Sequence, residues 1–263
     1  MSATRKRLGL SLGAGGAKGL CHIAFLRVLD ELGMQPDVIS GTSIGAIIGA
    51  FYAAGLSAAE LEQGLKKIGL KDLSKMALDF SLFSYSAIIK GKGVEEFLKL
   101  ALPVHTFEEL KIPLKVVATD FWKREAVVFN SGDLVSAIRA SIAMPFIFEP
   151  VIMQGIVFID GGAVNPLPYD LVQSECDFTI AIDVSGVKDQ PNGIVPNMLE
   201  SVLSTFQIMQ AAIVAAKMKA GTPDFYVKPE LRNIRVLDFY RYKEILSGVE
   251  EEVDQFRERM KSV

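Results

Sequence analysis

A mainly parallel β-sheet covered by helices on both faces is the architecture this sequence predicts. Short apolar runs alternate along the chain with helix-periodic stretches, the pattern of α/β units. The 263 residues, 50 % hydrophobic and 22 % charged, suffice for one sizeable core and are too apolar for a disordered chain. No repeat, low-complexity tract or composition shift divides the sequence, so residues 1–263 are read as one domain.

Leu8–Leu12 reads as a buried strand, followed by the loop Gly13-Ala14-Gly15-Gly16-Ala17-Lys18-Gly19. A helix is predicted over Gly19–Leu32, burying Ile23, Leu26, Val28 and Leu29, with Gly33 as its stop. Asp37–Ser40 is a second strand and Ile44–Ala54 a second helix. Later strands fall at Leu114–Thr119, Ala126–Phe129, Phe178–Val184, Phe225–Val227 and Arg235–Leu237, with Val157–Ile159 a further apolar strand. Later helices fit Glu95–Leu102, Leu134–Ser141, Leu167–Ser174, Met198–Lys219 and Tyr242–Lys261. Thr106 reads as a helix N-cap, and Gln190–Pro196 as the clearest loop.

Charge and cysteine content exclude several function classes. Lys plus Arg (28) against Asp plus Glu (31) leaves a net charge of −3, with no basic excess to neutralise nucleic acid. Two cysteines, Cys21 and Cys176, build no disulfide framework and point to a reducing, cytoplasmic compartment. The apolar stretch behind the basic N-terminus is too short for a secretory signal. Residues 38–59 carry no charge over a bilayer-spanning length, but four glycines make them a buried strand–turn–helix rather than a transmembrane span.

Gly-x-Ser-x-Gly occurs twice, so its setting decides. Gly9–Gly13 lies within a strand, and Ser11 is an ordinary strand residue there. Gly41-Thr42-Ser43-Ile44-Gly45 sits between strand and helix, where a tight turn exposes a serine hydroxyl as nucleophile. Gly41 and Gly45 let strand and helix approach, and the helix N-terminus favours developing negative charge. The two histidines, His22 and His105, both precede the place where an α/β-hydrolase puts its base, so that triad order is excluded. His22 is expected to pack or hydrogen-bond within its helix. A desolvated carboxylate can serve instead. Asp160 ends an apolar strand and precedes Gly161-Gly162, which let the backbone turn and bring the carboxylate against another element. Asp120 and Asp183, also at strand ends, read as structural. Gly15-Gly16-Ala17-Lys18-Gly19 fits neither a Walker loop nor a dinucleotide loop. Its backbone N–H groups suit an oxyanion, with Gly15, Gly16 and Ala17 as donors. Lys18 either steadies the loop, meets an anionic head group or stays solvated.

These pieces together resemble the patatin-like phospholipase family, in particular its small bacterial members. The matching residues are the Gly15–Gly19 loop, Gly41–Gly45, Asp160-Gly161-Gly162, and Ala140–Pro145 running on to Phe148–Val151. The likeness covers roughly residues 7–185, with further strands and helices over 196–263. It implies a three-layer α/β/α sandwich and a Ser43–Asp160 dyad that cleaves lipid esters through an acyl-enzyme. Ala14 stands where the family usually has its first oxyanion-loop glycine, which makes that loop slightly less adaptable.

The substrate expected is a phospholipid or lysophospholipid, with no cofactor or metal, since no dense carboxylate loop of the EF-hand type is present. Residues 76–89, apolar and poorly periodic, are a lid, an acyl-pocket wall or core, with Gly91 and Gly93 as hinges if they move. Leu199, Val202, Leu203, Phe206, Met209 and Ile213 form a helical stripe suited to the core, a pocket wall, peripheral contact at the inner face of a membrane, or a homodimer. The acidic balance argues against strong attachment to anionic lipids. Acyl transfer to an alcohol or thiol, and lipid binding with little turnover, are the competing functions.

Overall fold

Eight strands form one sheet in the order β5-β6-β3-β2-β1-β7-β8, with β4 paired to β3 off that path. The computed structural model describes residues 6–67, 91–186 and 195–263. Leu8–Leu12 (β1), Val38–Thr42 (β2), Leu114–Asp120 (β3), Phe178–Ile182 (β7) and Phe225–Val227 (β8) run parallel. Glu125–Phe129 (β4), Val151–Met153 (β5) and Ile156–Asp160 (β6) add antiparallel pairs. The sheet is thus mainly parallel with an antiparallel margin, and helices cover both faces.

Alternation along the strands assigns those faces. Ile180 and Ile182 of β7 join the main core with Leu10, Leu12, Ile39 and Val116. On that side lie the helices His22–Glu31 (α1), Ile44–Ala53 (α2), Ala58–Lys67 (α3) and Lys92–Ala101 (α4). Ala181, between the two isoleucines, faces a second cluster with Leu167, Tyr169 and Val214. That cluster holds the long helix Met198–Ala220, and the short helix Asp170–Gln173 packs on β1 and β2 nearby. Leu134–Ser141 (α5) packs on β3 and β6, while Asp170–Gln173 is α6 and Met198–Ala220 is α7. Tyr242–Ser247 (α8) and Glu250–Met260 (α9) close the chain, with Phe256 edge-on to Phe25 of α1 at 5.5 Å.

The strand at Leu8–Leu12, the helix at Leu134–Ser141 and the strand at Phe225–Val227 form with the predicted bounds. Other segments differ for local reasons. The first helix begins as a 3₁₀ turn over Gly16–Cys21 and becomes α-helical at His22. Arg235–Leu237 is not a strand: Val236 buries its side chain beside Met144 and Ile147, and its carbonyl serves the glycine-rich loop. Of Leu167–Ser174 only α6 is helical, after Pro166 and Pro168. The predicted last helix is two, parted around Gly248 and Val249. Helix α3 and strand β5 were not anticipated. Thr106 does form a capping box with Glu109, on a single 3₁₀ turn. Residues 76–89 and most of the 190–196 loop lie outside the described residues.

Helix α7 is long and apolar enough to cross a bilayer by length and composition, and little of that apolar window is buried. Its inward stripe is Leu203, Phe206, Gln210 and Val214, spaced three and four apart, whereas Leu199 and Met209 of the predicted stripe face outward. Lys217 ties it to the domain through Asn165, Leu167 O and Asp170. Residues 38–59 form β2, α2 and the start of α3, a buried strand–turn–helix as expected.

Two glycine substitutions of opposite sign test this packing. A Cβ at Gly45 would collide with the Leu12 and Gly13 carbonyl oxygens, backbone atoms that cannot swing aside. Gly45→Ala is expected to destabilise the fold by about 2–3 kcal/mol. Gly64, inside α3, has open space at the same position. Gly64→Ala is expected to gain up to about 1 kcal/mol of helix propensity, read in both variants by thermal melting.

Candidate active site

Ser43 and Asp160 meet because two strands end on one edge of β3. β4 pairs with Val116–Asp120, so β2 (at Leu114–Val117) and β6 (at Ala118–Asp120) share the opposite edge. Thr42 pairs with Val117 and Asp160 with Ala118, the next residue along. Two strands thus run head-on toward one point. Ser43 follows Thr42 there, and its Oγ donates to Asp160 Oδ2 at 2.7 Å.

Ser43 has φ 56° and ψ −122°, a conformation costly for a side-chain-bearing residue by about 1–3 kcal/mol. Several contacts hold it. Its N–H donates to Ser141 Oγ at 2.9 Å, and Ser141 Oγ donates to Val117 O at 2.6 Å. Helix α2 starts at the next residue, placing positive dipole beside the hydroxyl. A Cβ on Gly41 would stand 2.6 Å from Gly45 O, so the two glycines of the motif let the strand end and helix start touch.

Asp160 is buried, and burial pushes its carboxyl up to about 6, against the pull of the hydrogen bonds from Ser43 and the Gly162 N–H. The Gly162 N–H holds Oδ1 at 2.7 Å. Asp160 N donates to Ala143 O, and Thr119 Oγ1 donates to Asp160 O. Gly161 packs against Val117 O with no room for a side chain. Near neutral pH the carboxylate is therefore ionised but only weakly held so, poised to take a proton.

The glycine-rich loop is wedged between two backbones. Added Cβ atoms at Gly15 and Gly16 would sit 2.5 Å from Val184 O and Val236 O respectively, and Gly16 has φ +61°. The N–H groups of Gly13, Ala14 and Ala17 donate to Ile182 O, Pro166 O and Val236 O. The Ala17 N–H is therefore engaged by Val236 O, and of the three expected donors Gly15 and Gly16 have no carbonyl partner among the described residues. Both line the same pocket as Ser43. Lys18 is buried, with Nζ donating to Ser185 O at 2.6 Å, which ties the loop to the segment after β7. Gly19 abuts the Ile44 side chain.

That pocket is a cavity of about 430 Å³, walled mainly by apolar side chains of α2, α3 and α4. Ser43 and Asp160 lie in its wall, and Phe206, Gln207 and Gln210 of α7 face it from across. The two histidines and the other strand-end aspartates bond elsewhere. His22 is fully buried, its ring nitrogen Nε2 bonded to Gly13 O, and burial lowers its pKa to about 4. His105 is exposed and bonded to Lys99 O. Asp120 caps the turn after β3 through the Trp122 and Lys123 N–H groups, and Asp183 accepts from Ser185 N and the Tyr226 hydroxyl. Cys21 is buried, which raises its thiol pKa far above the usual range. Among the described residues no group of three or more His, Cys, Asp and Glu side chains gathers as metal donors. Ser141 escaped notice as a supporting residue because its role depends on a contact 98 positions away.

The sequence profile of the patatin-like phospholipase family matches residues 10–172. An uncharacterised NTE family protein of Mycobacterium tuberculosis is 34 % identical over 186 residues, which cover 70 % of this chain and 51 % of that protein. Lysophospholipase NTE1 of Kluyveromyces lactis is 27 % identical over 265 residues, 90 % of this chain and 18 % of its own length. The chain thus spans about half or less of these curated relatives. VipD of Legionella pneumophila shares the fold, with a TM-score of 0.54 at 15 % identity over 98 % of this chain and 68 % of that one. With its Gly41–Gly45 turn, glycine-rich loop and Asp-Gly-Gly strand end all inside the matched segment, the chain belongs to the patatin-like phospholipase family.

Proposed function

We propose that this protein is a serine acyl hydrolase cleaving carboxylic esters of phospholipids or lysophospholipids through Ser43 and Asp160. The observation that carries the reading is the 2.7 Å hydrogen bond between Ser43 Oγ and a buried carboxylate, set in the wall of an apolar cavity. An apolar chamber suits an acyl chain, and a desolvated carboxylate suits a base.

Asp160 takes the hydroxyl proton as Ser43 Oγ attacks the ester carbonyl carbon. The oxyanion is received by the Gly15 and Gly16 N–H groups, helped by the start of α2. On collapse the C–O bond to the leaving alcohol breaks, and Asp160 returns the proton to that alcohol. Water then attacks the acyl-enzyme, Asp160 accepts its proton, and the fatty acid leaves as Oγ is reprotonated. The family membership and a relative named lysophospholipase support this reading.

The decisive assay is fatty-acid release from a lysophospholipid, a diacyl phospholipid and a short-chain ester, by wild type and Ser43→Ala. Release absent from the variant is expected. Equal traces from both proteins would remove the hydrolase reading and favour acyl transfer or lipid binding.

Asp160→Asn is expected to lower kcat by about 10²–10⁴-fold, the range for a lost general base. The same change should stabilise the fold, because the wild-type carboxylate ionises at a cost in its buried site. The folded pKa of about 6 lies above the ordinary 3.8. Stability from this group is thus full below about pH 4 and falls as pH rises through 6. The variant's advantage should be absent below pH 4 and reach roughly 3 kcal/mol by pH 7. Denaturant titrations at the two pH values measure it, and a variant no more stable at pH 7 would contradict the buried-carboxylate account.

With Asp160 as base, kcat/KM should rise with pH and pass half-maximum near pH 6. A profile flat from pH 5 to 8 would exclude that role.

A further inference from the structure

Glycines turn easily about their backbone bonds, so a run of them presents its N–H groups in one direction only where neighbouring peptides are held. In the glycine-rich loop those holds stand on both sides of Gly15 and Gly16. After them the Ala17 N–H donates to Val236 O. Before them the Gly13 N–H donates to Ile182 O and the Ala14 N–H to Pro166 O. A further contact reaches the Gly13 carbonyl oxygen, 3.0 Å from Nε2 of the fully buried His22 at the start of α1. The Gly13 C=O and the Ala14 N–H belong to one planar peptide, so that unit is gripped at both ends and turning it over would break both bonds. The next peptide along carries the Gly15 N–H. Of these holds His22 alone is a side chain.

The state of the ring follows from its partner. A carbonyl oxygen only accepts, so Nε2 carries the proton and donates it, and Nδ1 is bare. Nδ1 is buried and has no hydrogen-bond partner among the described residues. Burial lowers the ring's pKa to about 4, so it is neutral near pH 7, and the Ser43 hydroxyl is bonded to Asp160 instead. An unmet buried nitrogen is a cost that an apolar side chain would avoid, which leaves the bond at Nε2 as the reason for a histidine here. We infer that His22 is a positioning residue, whose Nε2–H fixes the Gly13–Ala14 peptide so that the Gly15 and Gly16 N–H groups face the pocket holding Ser43. The inference rests on the hydrolase reading for what those groups receive, the oxyanion formed when Ser43 adds to a carbonyl.

Two probes separate positioning from support of the fold. An alkyl trifluoromethyl ketone forms a hemiketal with Ser43, its carbonyl oxygen becoming the oxyanion as Asp160 takes the hydroxyl proton. The corresponding secondary alcohol has the same chain and forms no adduct. His22→Leu is expected to weaken the ketone about 10- to 100-fold and leave the alcohol unchanged, a smaller loss than the roughly 10²–10³-fold for an oxyanion donor removed outright. His22→Gln, which keeps a side-chain N–H at similar reach, should retain most of the ketone's affinity. Equal weakening of both probes, no weakening of either, or a Gln variant no better than Leu would overturn the inference. Wild type alone supplies a further check through the nitrogen-15 resonances of the His22 ring. A proton on Nδ1, or on both nitrogens, near neutral pH would overturn it as well. Relaxation dispersion of the Gly15 and Gly16 amides needs no ligand. It should be quiet in wild type and the Gln variant and raised in the Leu variant, and dispersion unchanged by Leu would count against the role. If that pattern holds while wild type and Ser43→Ala bind the ketone alike, the hydrolase reading fails and the positioning of the loop stands.

Discussion

Everything at the reaction centre depends on the edge of β3 that β2 and β6 share. Val117 receives the end of the strand that leads to Ser43, and Ala118 the end of the strand that carries Asp160. Ladder hydrogen bonds fix both, so the separation of Ser43 and Asp160 is set by backbone register rather than by flexible loops. Val117 O is used again, by the Ser141 hydroxyl that holds the Ser43 N–H, and Gly161 packs onto the same carbonyl. A one-residue slip of β6 would turn Asp160 to the other face and leave the Ser43 hydroxyl without its carboxylate partner.

This arrangement stores two costs at one place, an ionisable carboxyl taken out of water and a serine in a strained conformation. Both are characteristic of sites where reactivity is favoured over stability. The surroundings offset them locally. Gly162 and Ser43 each donate a hydrogen bond to the carboxylate, which limits but does not cancel the effect of burial. Had these bonds been stronger, the carboxyl would have fallen back toward its ordinary acidity and become a poorer base.

The readable parts of the sequence were those in which function and local backbone agree. Gly41–Gly45 is glycine-flanked because backbone atoms of α2 and β2 touch there, and Asp160-Gly161-Gly162 because the chain turns against Val117. What escaped depended on distant partners. Val236 looked like a strand residue, but its carbonyl is the acceptor for Ala17, which also removes Ala17 from the expected oxyanion donors. Lys18 read equally as solvated or functional until its amine was found against Ser185 O. Helix α7 misled because it is apolar on several sides. Periodicity identified a helix but not which stripe of it faced the domain, and the true inward stripe includes a glutamine.

That glutamine belongs to a wider division of labour. The family profile ends at residue 172, and Ser43, Asp160 and the glycine-rich loop all precede that point. The apolar wall from α2, α3 and α4 precedes it as well, whereas Phe206, Gln207, Gln210, Val236 and Tyr240 come after it. Ser43, Asp160 and most of the apolar cavity wall are therefore built by the segment held in common with the family. The rest of the wall comes from a segment that contributes no strand to the β2–β3–β6 junction. Helix α7 reaches the site through Gly162 and adds Phe206, Gln207 and Gln210 to the cavity wall.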